Sequence, residues 1–167
     1  MKLKAILFAL DKPATNGSII PTKSFMEYLD SDDYLTRVIN GLMLGGVTHV
    51  DRYVENSGNV KGVAEWDPQL LNDCITHRID RIYPDGSLVY ADITFFDDMS
   101  QYSEKGKTTA MSILRLLKNG VKPPISMAIR GYWTNEDVCE KIVAIGGADF
   151  TLIPGFEDAI VTEVDEK

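Results

Sequence analysis

At 167 residues, 44% of them apolar and 9% aromatic, the chain is long enough for one domain with a substantial core, and its composition argues against disorder. A formal charge of −8 argues against a nucleic-acid or anionic-membrane surface as the main partner, because both take basic patches. No stretch approaches the roughly 20 apolar residues of a membrane span, and Cys74 and Cys139, far apart and without CxxC spacing, read as reduced, packed thiols of a cytosolic protein.

Residues 1–10 form an apolar run too short for a secretory signal, and Asp11-Lys12-Pro13 stands where a small-residue cleavage site belongs, so the segment reads as a first buried strand. Asn16-Gly17-Ser18 is a turn. A helix over 23–29 is expected to bury Phe25, Met26 and Leu29, and Ser31-Asp32-Asp33 caps a second carrying Leu35, Val38 and Ile39. Residues 42–51 read as a strand, in which Gly45-Gly46 marks a bulge or a close backbone approach just before His49. Residues 52–62 are polar and read as a loop, and Asp67-Pro68 caps a short helical turn.

Residues 74–83 and 87–96 alternate around Pro84-Asp85-Gly86, a strong hairpin signal, and 97–107 read as a flexible crossover. Residues 108–119 are the clearest helix, with Met111, Ile113, Leu114, Leu116 and Leu117 as its apolar stripe and Gly120 as its stop. In the strand after Pro123-Pro124, Ile125, Met127 and Ile129 share one face, and Ser126, Ala128 and Arg130 the other. Thr134 to Asp137 is a turn or the cap of a short helix carrying Val138, Ile142 and Val143; residues 149–154 read as the last core strand, and 163–167 as a frayed tail. The sum is a strand-rich α+β domain of about seven strands and three or four helices.

Little bulk surrounds Ser126 on its face, which makes it the candidate nucleophile, and a serine hydroxyl near neutral pH needs a base. The chain has two histidines, His49 and His77. His77 reads as a partly exposed strand residue pairing with a neighbouring carboxylate, which leaves His49. Asp149, after Gly146-Gly147-Ala148, is the preferred carboxylate to orient the imidazole, with Asp51, Glu65 and Asp67 as rivals. Arg130 serves an oxyanion site directly or through water, or is a surface cation. The two histidines could also be imagined as ligands of a metal hydrolase, but neither HExxH nor cysteine spacing supports this. A GxSxG elbow and a Gly-rich phosphate loop are both absent from the sequence.

In their order and separation these segments resemble the prohead maturation proteases of tailed bacteriophages, serine proteases with a herpesvirus-assemblin-like fold. Residues 16–21 are similar to that family's Asn-Gly-Arg-x-hydrophobic-Pro opening, and Gly45 to His49 to the segment delivering its histidine. Asp67-Pro68 and the hairpin around Asp85-Gly86 match its middle, residues 108–130 its helix, loop and nucleophile strand, and 149–159 its terminal strand. Two departures stand out: Val50 replaces the usual proline after the histidine, and Ser126 to Arg130 is longer than the Ser-Ser-Arg-Gly of some members.

The resemblance implies a mainly antiparallel β-barrel and a serine endopeptidase inside the procapsid, formed in the bacterial host cytoplasm. It would cut scaffold and major capsid protein segments, and itself, with Ser126, His49 and Asp149 as triad and backbone amides near Arg130 as oxyanion donors. No metal or organic cofactor is implied, nor any direct contact with nucleic acid or membrane. Loops 52–62 and 97–107 are expected to line the peptide cleft. The competing reading is a non-enzymatic assembly factor or scaffold-binding protein on the same fold.

Overall fold

The structure, a computed structural model, describes residues 1–49, 52–54, 56–67, 71–98 and 102–165. These form nine strands and four helices: β1 (Lys2–Ala9), α1 (Thr22–Leu29), α2 (Asp32–Ile39), β2 (Leu44–Gly46), β3 (Arg52–Val54), β4 (Val60–Trp66), α3 (Leu71–Cys74), β5 (Ile75–Asp85), β6 (Leu88–Phe95), α4 (Glu104–Lys118), β7 (Ile125–Trp133), β8 (Cys139–Phe150) and β9 (Ile160–Asp165). None of the helices is long and apolar enough to cross a membrane.

The strands lie in two antiparallel sheets, in the orders β2-β5-β6-β1-β9 and β3-β4-β7-β8. The expected barrel of about seven strands is therefore corrected: no closed barrel forms among the described residues. The sheets meet through single bridges, Pro124 to Ile160 on one side and Val47 to Phe150 on the other. Pro123 and Pro124 have no N–H to extend a ladder, so only their carbonyls serve, accepting from Val161 and Thr151.

Local signals explain most elements. The alternation of β6 places Val89, Ala91, Ile93 and Phe95 in the core, and Gly86 (φ +63°) makes the tight turn from β5. Helix α4 begins earlier than the apolar stripe indicates, because the Ser103 hydroxyl caps it by accepting from Gly106 N–H at 3.0 Å. Its buried face is Ala110, Ile113 and Leu117, while Met111 and Leu116 are exposed.

Helix α1 starts where the Asp11 carboxylate accepts from both Thr22 N–H (2.9 Å) and the Thr22 hydroxyl (2.6 Å), and it buries Ser24, Phe25 and Tyr28 and leaves Met26 exposed. Helix α2 is capped by Ser31 as expected, but Tyr34 is its buried residue, with Leu35 and Ile39 outside.

Three further expectations are corrected. Of the two readings of residues 134–137 the turn is the one found, with Thr134 accepting from Val138 N–H, and in place of the helix carrying Val138, Ile142 and Val143 the chain runs on into β8, which pairs with β7. The strand placed at 149–154 ends at Phe150, and residues 151–158 bend away. Residues 163–165 are not frayed, since β9 pairs Lys2 with Asp165 and Lys4 with Glu163; the last two residues, and the cap at Pro68, lie outside the described residues. Both cysteines are free and buried, and burial pushes the Cys139 thiol up to about 11, against the opposing effect of a hydrogen bond with the Lys141 backbone.

Candidate active site

Strands β7 and β8 are neighbours over their whole length, and their register sets Ser126 opposite Asp149. Asp149 is fully buried, and each of its carboxylate oxygens has a partner. Oδ1 accepts from Gly46 N–H at 2.9 Å, and Oδ2 lies 2.5 Å from His49 Nδ1. A carboxylate can only accept, so Nδ1 carries the proton and the lone pair of the imidazole is left at Nε2.

The backbone before His49 is built for this meeting. A Cβ on Gly46 would lie 1.9 Å from the Cys74 carbonyl oxygen, and one on Gly45 would lie 2.0 Å from that of Ala148. Only a glycine pair lets β2 pass so near β5 and β8, and the register shift of β2 against β5 falls between these two residues, so the expected bulge and close approach are both present. Thr48 then takes φ +63°, a costly conformation for a β-branched residue, and is held there as its N–H donates to Phe150 O at 2.9 Å. That turn ends the strand expected over 42–51 at Gly46 and swings His49 beside Asp149.

His49 and Ser126 line the same cleft, of about 470 Å³. Ile20, Met127, Ile129 and Phe156 give it apolar walls, and Lys61 and Asp137 add one charge of each sign. The Ser126 hydroxyl accepts from Gly155 N–H at 3.3 Å. The expected two-faced pattern of β7 does not hold: Met127 and Ile129 line the cleft along with Ser126, and at three points along the pair β8 carries a residue that β7 does not match, Gly146, Val143 and Glu140.

Arg130 stands in register with Gly62 and Ala144 and is not among the cleft-lining residues. Of the rival carboxylates, Glu65 pairs with Arg37 at 2.5 Å, Asp67 lies just past the end of β4, and Asp51 is outside the described residues. His77 is not partly exposed but fully buried, with Nε2 2.8 Å from Ala148 O. The described residues hold no group of three or more His, Cys, Asp or Glu able to share a metal ion.

Of the loops expected to line the cleft, 52–62 contributes Lys61 and Gly62, which belong to β4, and the described part of 97–107 contributes nothing. Sequence reasoning missed the segment 153–156, which forms a wall of the cleft and supplies Gly155 N–H; Pro154-Gly155 after an apolar run was the available turn signal.

No protein-family model matches the chain, and no curated protein matches it in sequence. Among solved structures, the chain is similar to the bacteriophage T4 capsid assembly protease, gp21, with a TM-score of 0.61 and 14% sequence identity, covering 90% of this chain and 80% of that one. At that identity the likeness is one of fold, and the chain has a phage capsid-assembly-protease-like fold.

Proposed function

We propose that the chain is a serine endopeptidase of phage procapsid maturation, with Ser126 as nucleophile, His49 as general base and then acid, and Asp149 as the carboxylate that orients His49. The observation that carries this reading is the 2.5 Å pairing of His49 Nδ1 with the buried Asp149, at the edge of a cleft that Ser126 also lines. The likeness in fold to a capsid assembly protease supports it.

In the reaction, Ser126 Oγ attacks the scissile carbonyl carbon and passes its proton to His49 Nε2. The Asp149 carboxylate stabilises the imidazolium and keeps the ring in the useful tautomer. The imidazolium then protonates the leaving amine, and a water molecule releases the acyl group by the same steps in reverse. Gly155 N–H, which donates to Ser126 Oγ beside the attacked carbonyl, is a backbone donor available to the developing oxyanion; Arg130 is not among the residues lining the cleft.

The substrates under this reading are segments of the scaffold and major capsid proteins, and the chain itself, cut within the procapsid in the bacterial host cytoplasm. The open cleft with mixed apolar and charged walls suits an extended peptide.

Ser126→Ala is the deciding variant. It should fold with stability within about 0.5 kcal/mol of the parent, and lose self-cleavage and labelling by a fluorophosphonate. A parent protein that shows neither activity with scaffold protein present, yet still binds scaffold, favours the assembly-factor reading. Activity abolished by a chelator and unaffected by Ser126→Ala would point to a metal hydrolase.

A further inference from the structure

We propose that His77 is a positioning residue for the His49–Asp149 pair, fixing from within the core the stretch of β8 that carries Asp149. This rests on the triad reading above, in that it gives the pair a catalytic purpose.

His77 sits on β5, fully buried, and both ring nitrogens are engaged. Nε2 is 2.8 Å from Ala148 O, and a carbonyl can only accept, so Nε2 carries a proton. Nδ1 lies 2.9 Å from the Thr76 hydroxyl, which donates to it in the neutral imidazole. The ring also packs against Phe150, with centroids 4.8 Å apart. One side chain thereby grips the residue before Asp149 by its backbone and the residue after it by its ring.

The grip extends to His49. Phe150 O accepts from Thr48 N–H, and Gly46 N–H reaches Asp149 Oδ1. A Cβ on Gly45 would fall 2.1 Å from His77 Nε2 as well as 2.0 Å from Ala148 O, so the glycine leaves room for this hydrogen bond. An aliphatic residue would fill the same space in the core without the desolvation cost of an imidazole. What the imidazole adds is a directional bond that fixes the height and tilt of β8 at Asp149. Among the described residues lining the cleft of His49, the charged ones are Lys61 on β4 and Asp137 in the β7–β8 turn.

The test uses ¹⁵N-histidine-labelled full-length protein, in which two histidines make assignment direct. In a Ser126→Ala background that prevents self-cleavage, the proton between His49 Nδ1 and Asp149 should give a downfield resonance. His77→Phe keeps the ring stacking and removes the bond to Ala148. It should abolish or shift that resonance and, with Ser126 restored, slow fluorophosphonate labelling by about 10- to 100-fold, the scale of a small misplacement of catalytic groups. His77→Gln, whose amide N–H can reach Ala148 O, should recover both to within about threefold.

Should His77→Phe not fold, Thr76→Val, which removes only the partner of Nδ1, is expected to shift the same resonance and slow labelling by a smaller factor. A folded His77→Phe with resonance and labelling rate both at the parent level overturns the proposal, as does absence of the resonance in the parent. An unlabelled parent whose resonance is present and is lost in His77→Phe supports the positioning role while overturning the peptidase reading.

Discussion

Along β6 in the five-stranded sheet, half-buried and buried residues alternate without interruption from Leu88 to Phe95, whereas along β7 in the four-stranded sheet the buried residues recur at every third position, Ile125, Ala128 and Gly131. The regular strand delivers Val89, Ala91, Ile93 and Phe95 to the core, as a period-two pattern should. Strand β7 instead sends Ser126, Met127 and Ile129 to one cleft, beside a strand, β8, that carries three residues β7 does not match, Gly146, Val143 and Glu140. The positive φ of Thr48 and the glycine pair before it adjoin the same sheet, against β8. The strand with strict alternation thus supplies core burial, and the strand that departs from it lines the candidate site.

If that division holds, damage to the two sheets should show in different measurements. The largest effect is expected from Asp149→Asn in the four-stranded sheet. With the orienting carboxylate gone, the labelling and cleavage rates should fall about 10⁴-fold. A fall of less than tenfold would mean that another group orients His49.

Next, Ile93→Ala on the alternating strand β6 empties a site with 0% exposure. It should cost about 2–5 kcal/mol in denaturant unfolding. Under conditions where the variant remains folded, its labelling rate should stay at the parent value, and a parallel loss of rate would break the proposed division.

Gly45→Ala lies where the two sheets approach each other and should do both kinds of damage. Its new methyl meets the Ala148 carbonyl and the His77 ring, costing about 1–3 kcal/mol by overpacking and displacing Asp149.

The smallest effect belongs to Asp80. Burial pushes its carboxyl up, but hydrogen bonds from Thr94 (2.5 Å) and Arg78 (2.8 Å), with the Lys2 and Arg78 charges, outweigh burial and hold it below the usual 3.8. Since the folded value is the lower one, its contribution is complete above the unfolded value near pH 4 and is lost as pH falls through the folded value. Asp80→Asn should therefore cost no more than about 1 kcal/mol at pH 7 and flatten that acid dependence, with no change in labelling rate.

The legibility of the sequence followed the same division. The β5–β6 hairpin, the stop of α4 at Gly120, the cap at Ser31 and the close approach at Gly45-Gly46 each depend on residues a few positions apart, and each is present in the fold. In place of the short helix offered for Val138, Ile142 and Val143 the chain forms strand from Cys139 onward, since short apolar runs fit both periods and pairing with β7 decides between them. Met26, Leu35 and Met111 fit an apolar stripe but ended outside, because the core-facing side of each helix is chosen by the sheet beneath it. His77 beside Arg78 and Asp80 looked like a charged strand face, and its burial comes from β2 and β8 closing over it.

From the chain alone came the identities of Ser126, His49 and Asp149 as chemically able groups, along with a strand-rich α+β domain in which to place them. The folded molecule decided that Asp149 and not Glu65 meets the imidazole, that Arg130 turns away from the cleft, and that residues 153–156 form one of its walls. The reason is distance along the chain. Residues 49 and 149 are 100 positions apart, and what joins them is the bridge of Val47 to Phe150, the Thr48 N–H on Phe150 O and the Gly46 N–H on Asp149, none of which leaves any periodic trace in the sequence around the residues it unites.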